Sequence, residues 1–268
     1  MEKQTLSARR LSIVSTLKCT LKCKLCCNLM PMFKKPYDVS LESMINDIDH
    51  IFELFDHVEW LQFVGGEIFM HKDMAAVYEY ALKYRAKFDK LILMTNATIA
   101  PNDKEISALK KYGEHCKILI SDYGDHSYKR DEMTEICKAN NIPYLLKCYN
   151  GNSQYYDGWF DNTGFKKFVG SEDELDRQAA GCPQVKMENM TSLNGKIHIC
   201  SNSCFMTELG VNKPASQDFV DLNDNSISLD EKREIIRNFY KKPVEACKIC
   251  SWWNAANVER FPAAEQID

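Results

Sequence analysis

The sequence predicts an α/β fold: a parallel sheet that carries the chemistry, followed by a smaller region of different character. Three observations predict it. Strand-like and helix-like segments alternate five times between residues 11 and 149. Such alternation builds right-handed crossovers and hence a parallel sheet. The first four strands run into polar, cysteine-rich or glycine-rich loops, at the carboxyl ends where parallel sheets place their ligands. After residue 150 the composition changes, with Asn150 to Gly164 rich in Gly, Asn, Asp and aromatic residues. The alternation leaves open whether the sheet is an open doubly wound one or a partial barrel.

Each element has a local reason. Leu11-Ser-Ile-Val-Ser15 reads as a short buried strand, and Pro31 and Pro36 keep the stretch after it irregular. Leu41, Met44, Ile45, Ile48, Ile51, Phe52 and Phe55 recur with a helical period, with Ser40 placed as N-cap. Val58 to Val64 is a second strand, ending in Gly65-Gly66-Glu67. Asp73 to Phe88 is helical, with Met74, Val77, Tyr78, Ala81 and Leu82 on one face. Leu91 to Met94 is a third strand, running into Thr95-Asn96-Ala97-Thr98, and Asn102 to Tyr112 is helical. Ile118 to Ile120 is a fourth strand leading to Ser121-Asp122-Tyr123-Gly124, followed by a helix from Lys129 to Ala139. Pro143 to Tyr149 is the fifth strand. Beyond the loop at 150–164, Glu172 to Ala180 reads as a short helix and Leu229 to Phe239 as another. Met187 to Ser192 and Lys196 to Cys200 flank Asn194-Gly195, the signature of a hairpin with a type I′ turn.

The bulk properties exclude several classes. With 268 residues and 45% hydrophobic content the chain is long enough for a sizeable core. A net charge of −4 without a basic stripe argues against a nucleic-acid partner. The polar stretch Met1 to Arg10 does not read as a signal peptide, and no apolar run is long enough for a bilayer, so a cytoplasmic protein is expected. In that compartment twelve cysteines predict metal binding or redox chemistry rather than disulfides.

The cysteines fall into two sets. Cys19-Thr-Leu-Lys-Cys23-Lys-Leu-Cys26 follows the first strand with C-x3-C-x2-C spacing. Soft thiolates select zinc or iron–sulfur centres. A cubane cluster normally takes four Cys ligands, so a loop offering three leaves one iron open to a substrate or cofactor. A closed zinc site needs a fourth ligand, and the adjacent Cys27 is poorly placed to supply it. The second set is Cys182, Cys200, Cys204, Cys247 and Cys250. Of these, Cys182, Cys200, Cys247 and Cys250 make a complete set of four, which zinc would also accept. Cys116, Cys137 and Cys148 read as small buried hydrophobes.

The first motif, in its place after the first strand, resembles the signature of the radical S-adenosylmethionine (SAM) family, although Leu25 stands where the family usually has an aromatic. Gly65-Gly66-Glu67 resembles the family's segment that receives the SAM amino group. Asn96 resembles the Asn of its Thr-Asn-Gly turn, with Ala97 in place of glycine. Ser121 and Asp122 match positions that contact the SAM ribose or carboxylate in related enzymes; the alternative is that they cap the next helix. Cys182, twelve residues, Gly195, four residues and Cys200 resemble the start of the auxiliary-cluster domains called SPASM and twitch. Cys247 and Cys250 would complete one cluster.

The resemblance implies a partial (βα) barrel core over residues 1–165 and a small α+β twitch-like domain over 166–268. It implies SAM and two [4Fe-4S] clusters as cofactors, and an electron donor such as flavodoxin or ferredoxin. In the family a 5′-deoxyadenosyl radical abstracts a hydrogen atom from the substrate. The layout is most similar to twitch-type dehydrogenases, which implies oxidation of an alcohol on a small sugar, aminosugar or cyclitol, with the auxiliary cluster accepting the electron. Cys204 is the candidate hydrogen donor if the outcome is epimerisation instead; the alternative is a small buried hydrophobe. Lys147 is a candidate for binding an anionic group of SAM or substrate; the alternative is a surface lysine. Trp159, Tyr156 and their neighbours Tyr155 and Phe160 are candidates to wall the pocket. A peptide-modifying maturase and a non-catalytic zinc module are the rival readings.

Overall fold

The computed structural model describes residues 5–151, 158–251 and 258–267. The strands β1 (Ser7–Thr16), β2 (His57–Gly65), β3 (Phe88–Thr95), β4 (Cys116–Asp122) and β5 (Tyr144–Cys148) are parallel and lie side by side in chain order. Their crossovers carry the helices α1 (Leu41–Leu54), α2 (Met74–Ala81), α3 (Asp103–Lys110) and α4 (Arg130–Ala139). Ser40 caps α1 by accepting from the Ser43 amide at 3.1 Å. Asn102 and Glu105 form a capping box at the start of α3. The helical stretch after Asp73 is not continuous: α2 gives way to a tighter 3-10 turn over Leu82–Lys87 before β3 begins.

Further on come α5 (Glu172–Gly181), α6 (Pro183–Met187), β6 (Asn189–Leu193), β7 (Lys196–His198), α7 (Ser201–Glu208), β8 (Phe219–Asp221) and α8 (Leu229–Asn238). The expected hairpin is β6 and β7, and Asn194 (φ 51°) with Gly195 (φ 77°) makes its I′-like turn. Pairing across the molecule adds a feature the alternation does not reveal. β6 lies parallel to β1 on the side away from β2, with Leu11 opposite Met190 and Ile13 opposite Ser192. The parallel set therefore has six strands rather than five, and the whole sheet runs β5-β4-β3-β2-β1-β6-β7-β8 across residue 165 without a break. A pairing this distant in sequence leaves no local periodicity to read.

Side chains alternate across each strand, so the sheet has two different faces. Leu11, Ile13, Leu61, Phe63, Leu91, Leu93, Ile118 and Ile120 join Met44, Ile48, Val77, Leu109 and Met133 of the helices in one buried core. The opposite face is mixed. There Gln62 Nε2 donates to Ser12 Oγ and to Asn189 Oδ1, both at 3.0 Å, tying β2, β1 and β6 together. Towards the carboxyl edge Met94, Leu119 and Leu145 stand in register on this face, and Met94 and Leu145 are 36% and 45% exposed.

Candidate functional site

The loop after β1 is held in place by the end of β2. Gly66 N donates to Thr16 O and Glu67 N to Lys18 O, both at 2.9 Å. This approach is possible only without side chains. A Cβ on Gly65, at φ 151°, would stand 2.2 Å from Thr16 O. A Cβ on Gly66 would stand 2.0 Å from Lys18 O and 2.9 Å from the Cys19 Cβ. The two glycines therefore position the cysteine loop itself.

Cys19, Cys23 and Cys26 come together on that loop, and the Cys23 thiol is an electrostatic neighbour of both others. Burial pushes Cys19 up to about 11 and Cys23 up to about 12. Each of these two sulfurs also receives an amide hydrogen: Asn96 Nδ2 donates to Cys19 at 3.5 Å and Gln266 Nε2 to Cys23 at 3.4 Å. Buried thiols with amide donors aimed at sulfur match ligands that carry negative charge once a soft metal is bound.

Glu67 lies deeper than its motif suggests. It is 0% exposed, and its carboxylate accepts from Phe69 N, Thr95 Oγ1 and Asn96 N. Burial raises its pKa to about 7. The side chain is turned inward and joins the ends of β2 and β3; it adds no acceptor to the open face. Asn96 hangs from this link. Its Oδ1 accepts from Thr98, while its Nδ2 reaches Cys19 and Thr20. Ala97 takes the left-handed conformation (φ 57°), which favours glycine.

At the end of β4, neighbouring residues point opposite ways. Asp122 faces the helices, where Arg130 of α4 donates to it at 3.2 Å and Gly124 N at 2.9 Å, so it acts as a turn cap. Ser121 lies on the other face, opposite Lys147 of β5. Tyr123 was not singled out by sequence reasoning, yet its hydroxyl has Ser121, Cys23 and Cys27 as electrostatic neighbours. Trp159 packs edge-on against Tyr123, with ring centroids 5.6 Å apart, and Tyr149 lies 5.4 Å from Tyr123. Tyr155 and Tyr156 lie outside the described residues. The C-terminal segment closes this corner: Phe261 pairs with Trp159, and Gln266 with Cys23. No signal in the sequence pointed to that contact.

The second cysteine set also converges. Cys182, Cys200, Cys247 and Cys250 line one small cavity of about 30 Å³, together with Asn202, Ser203 and apolar side chains. Asn202 Nδ2 donates to Cys250 Sγ at 3.2 Å and Ser203 N to Cys200 Sγ at 3.5 Å. Asn202 Oδ1 is buried without a hydrogen-bond partner. Among the described residues, no group of three or more His, Cys, Asp or Glu stands in the geometry of a single-ion site. Four soft donors with amide hydrogens on two of them fit an iron–sulfur centre. On its other side Cys250 borders a larger cavity of about 530 Å³, lined also by Lys166, Phe168 and Phe261.

Cys204 does not join either set. It lies in α7, 1% exposed within the core; burial raises its pKa well above the usual thiol range, with Glu208 and Asp47 as electrostatic neighbours. Of the cysteines read as small buried hydrophobes, Cys116 and Cys137 are buried. Cys148 is only half-buried and contacts Asn150 O, because β5 is the edge strand.

No family model matches the chain, and no curated protein matches it. Solved structures do. BtrN, in complex with AdoMet and 2-DOIA, is similar over 100% of this chain and 98% of its own, at 12% identity and a TM-score of 0.53. Streptococcus suis SuiB bound to the precursor peptide SuiA is similar over 96% of this chain and 74% of its own, at 14% identity and a TM-score of 0.46. For anSMEcpe with bound AdoMet the match covers 52% of this chain and 42% of that one, at 18% identity and a TM-score of 0.42. The chain thus spans about two fifths of the length of anSMEcpe. The full-length likeness to BtrN shows that the chain shares the fold of that protein. Among the described residues no helix is long and apolar enough to cross a membrane.

Proposed function

We propose that the protein is a cytoplasmic radical SAM oxidoreductase that oxidises an alcohol on a small hydroxylated ring, such as a sugar, aminosugar or cyclitol. The observation that carries this is the position of Cys19, Cys23 and Cys26: three soft ligands, on a loop at the carboxyl edge of a sheet that shares the fold of BtrN. When bound there, a [4Fe-4S] cluster with SAM supplies reductive cleavage of the cofactor and hydrogen-atom abstraction from substrate. The chain's residues hold and orient. Gly65, Gly66 and the inward-turned Glu67 fix the cysteine loop and the Asn96 turn. Asn96, Ser121 and the Asp122 turn frame the SAM-binding edge. Cys182, Cys200, Cys247 and Cys250, in an auxiliary part over 166–268 beside the core of 1–165, would hold a second [4Fe-4S] cluster, which would supply an acceptor for the substrate electron. Flavodoxin or ferredoxin is the fitting class of donor for the first cluster.

The substrate class is supported by the open face of the sheet. An apolar row of Met94, Leu119 and Leu145, of which Met94 and Leu145 are exposed and Leu119 is buried, lies one step below Ser121 and Lys147. Trp159 stands near the same corner. Apolar atoms below polar ones suit a ring whose hydroxyls gather on one edge. BtrN, which holds 2-DOIA, is similar over the full chain, and that agrees with a small ligand. Oxidation is favoured over epimerisation because Cys204, though one helical turn from Cys200, is enclosed in the core at 1% exposure.

Turnover in D2O tests the choice, once a substrate from this class is found. Oxidation gives a carbonyl product, no solvent deuterium at the reacting carbon, and a Cys204→Ala variant that still turns over. Deuterium at an inverted carbon, with product lost in Cys204→Ala while SAM is still cleaved, would make the protein an epimerase with Cys204 as donor.

A further inference from the structure

We infer that the chain's own C-terminal segment is a positioning element for the first cysteine loop, and that the Gln266 side chain sets the electron affinity of the cluster held there. The inference rests on the function proposed above and deepens it by naming a residue that tunes the reductive step.

The segment Ala264–Ile267 runs antiparallel to the middle of the cysteine loop. Lys24 N donates to Glu265 O at 2.7 Å and Ile267 N to Lys22 O at 2.9 Å. Cys23 and Gln266 form the bridge between these two bonds. Lys24 and Glu265 add an exposed ion pair at 3.5 Å, which contributes little by itself. Ala264 is fully buried in the left-handed conformation (φ 57°), which a residue with a Cβ rarely adopts. The turn at Ala264 aims Gln266 at the cysteine.

The orientation of the Gln266 amide follows from its partners. Lys22 N is only a donor, and it gives its hydrogen to Gln266 Oε1 at 2.7 Å. Ala264 O is only an acceptor, and it takes a hydrogen from Gln266 Nε2 at 2.6 Å. Reversing the amide would set donor against donor and acceptor against acceptor, so the NH2 end is fixed beside Cys23. Its second hydrogen points to Cys23 Sγ at 3.4 Å. A donor to a ligand sulfur favours the more negative, reduced form of an iron–sulfur cluster. Gln266 therefore makes this cluster easier to reduce.

The test is anaerobic redox titration of the reconstituted full-length protein, read by electron paramagnetic resonance, with iron and sulfide content measured on each sample. The first cluster is the one whose signal responds to added SAM. Gln266→Leu removes the donor and should shift that cluster to a more negative potential. Gln266→Glu puts an acceptor beside the sulfur and should shift it further. Glu265→Ala breaks the ion pair and keeps the amide, so it should leave the potential where it was. The second cluster should be unmoved in all variants. Iron-loaded Gln266 variants with the wild-type potential would overturn the role given to Gln266 and leave the proposed function standing. Wild-type protein that binds no iron at Cys19, Cys23 and Cys26 would overturn that function, and this inference with it.

Discussion

Glu67 lies between two strand ends and is fully buried, so replacing it acts on both. Its folded pKa of about 7 exceeds its usual 4.5, chiefly because burial disfavours the charge. The folded protein therefore holds this proton more tightly than the unfolded chain does. The resulting stability is complete below pH 4.5 and is lost as pH rises to about 7, on the order of 3 kcal/mol. Glu67→Gln, which does not titrate, should show a flatter stability–pH curve than wild type across that window in urea melts of the apoprotein. Gly66 is constrained by space. Gly66→Ala sets a Cβ 2.0 Å from Lys18 O, a backbone atom that can move only with the whole cysteine loop. It should cost about 3 kcal/mol in denaturant unfolding and lower iron incorporation. Gly-Gly-Glu was legible as the end of the second strand, but its part in holding the loop was not. That part depends on Thr16 and Lys18, some fifty residues earlier in the chain.

Among the elements, the β6–β7 hairpin shows what local sequence specifies well. Asn194-Gly195 announced both the turn and its left-handed backbone. The destination of the hairpin could not be read, because the β1–β6 pairing has no local signature. Asp47 of α1 secures it by accepting from Ser192 Oγ at 3.0 Å and from Gly195 N at 3.3 Å. Gly195→Ala forces a Cβ into φ 77° and against the Asn223 side chain at 2.2 Å. The expected loss is about 1–2 kcal/mol, seen as a lower Tm. The crossover helices were legible because their apolar periods match the core they bury. The helix α7 was missed: Cys200 caps it, and its inward residues Ser203, Cys204, Phe205 and Met206 do not form an amphipathic stripe.

At the scale of the whole molecule, the two cysteine sets fall where the spacing placed them. One lies on the loop after the first strand and the other around a cavity shared by four thiols. The grouping of the cysteines was legible because thiol spacing survives in the one-dimensional chain. Trp159 was named as a pocket wall from the sequence, but Phe261 and Gln266 were not, since they reach the first site only through the folded chain. The central claim is that Cys19, Cys23 and Cys26 hold a cluster that cleaves SAM. The direct measurement is 5′-deoxyadenosine released from SAM by the reconstituted, reduced protein, in wild type and in Cys23→Ala. Wild type should release it slowly even without substrate, and Cys23→Ala should release none. Wild-type protein with its full iron content and no 5′-deoxyadenosine, or equal release from both proteins, would contradict the claim.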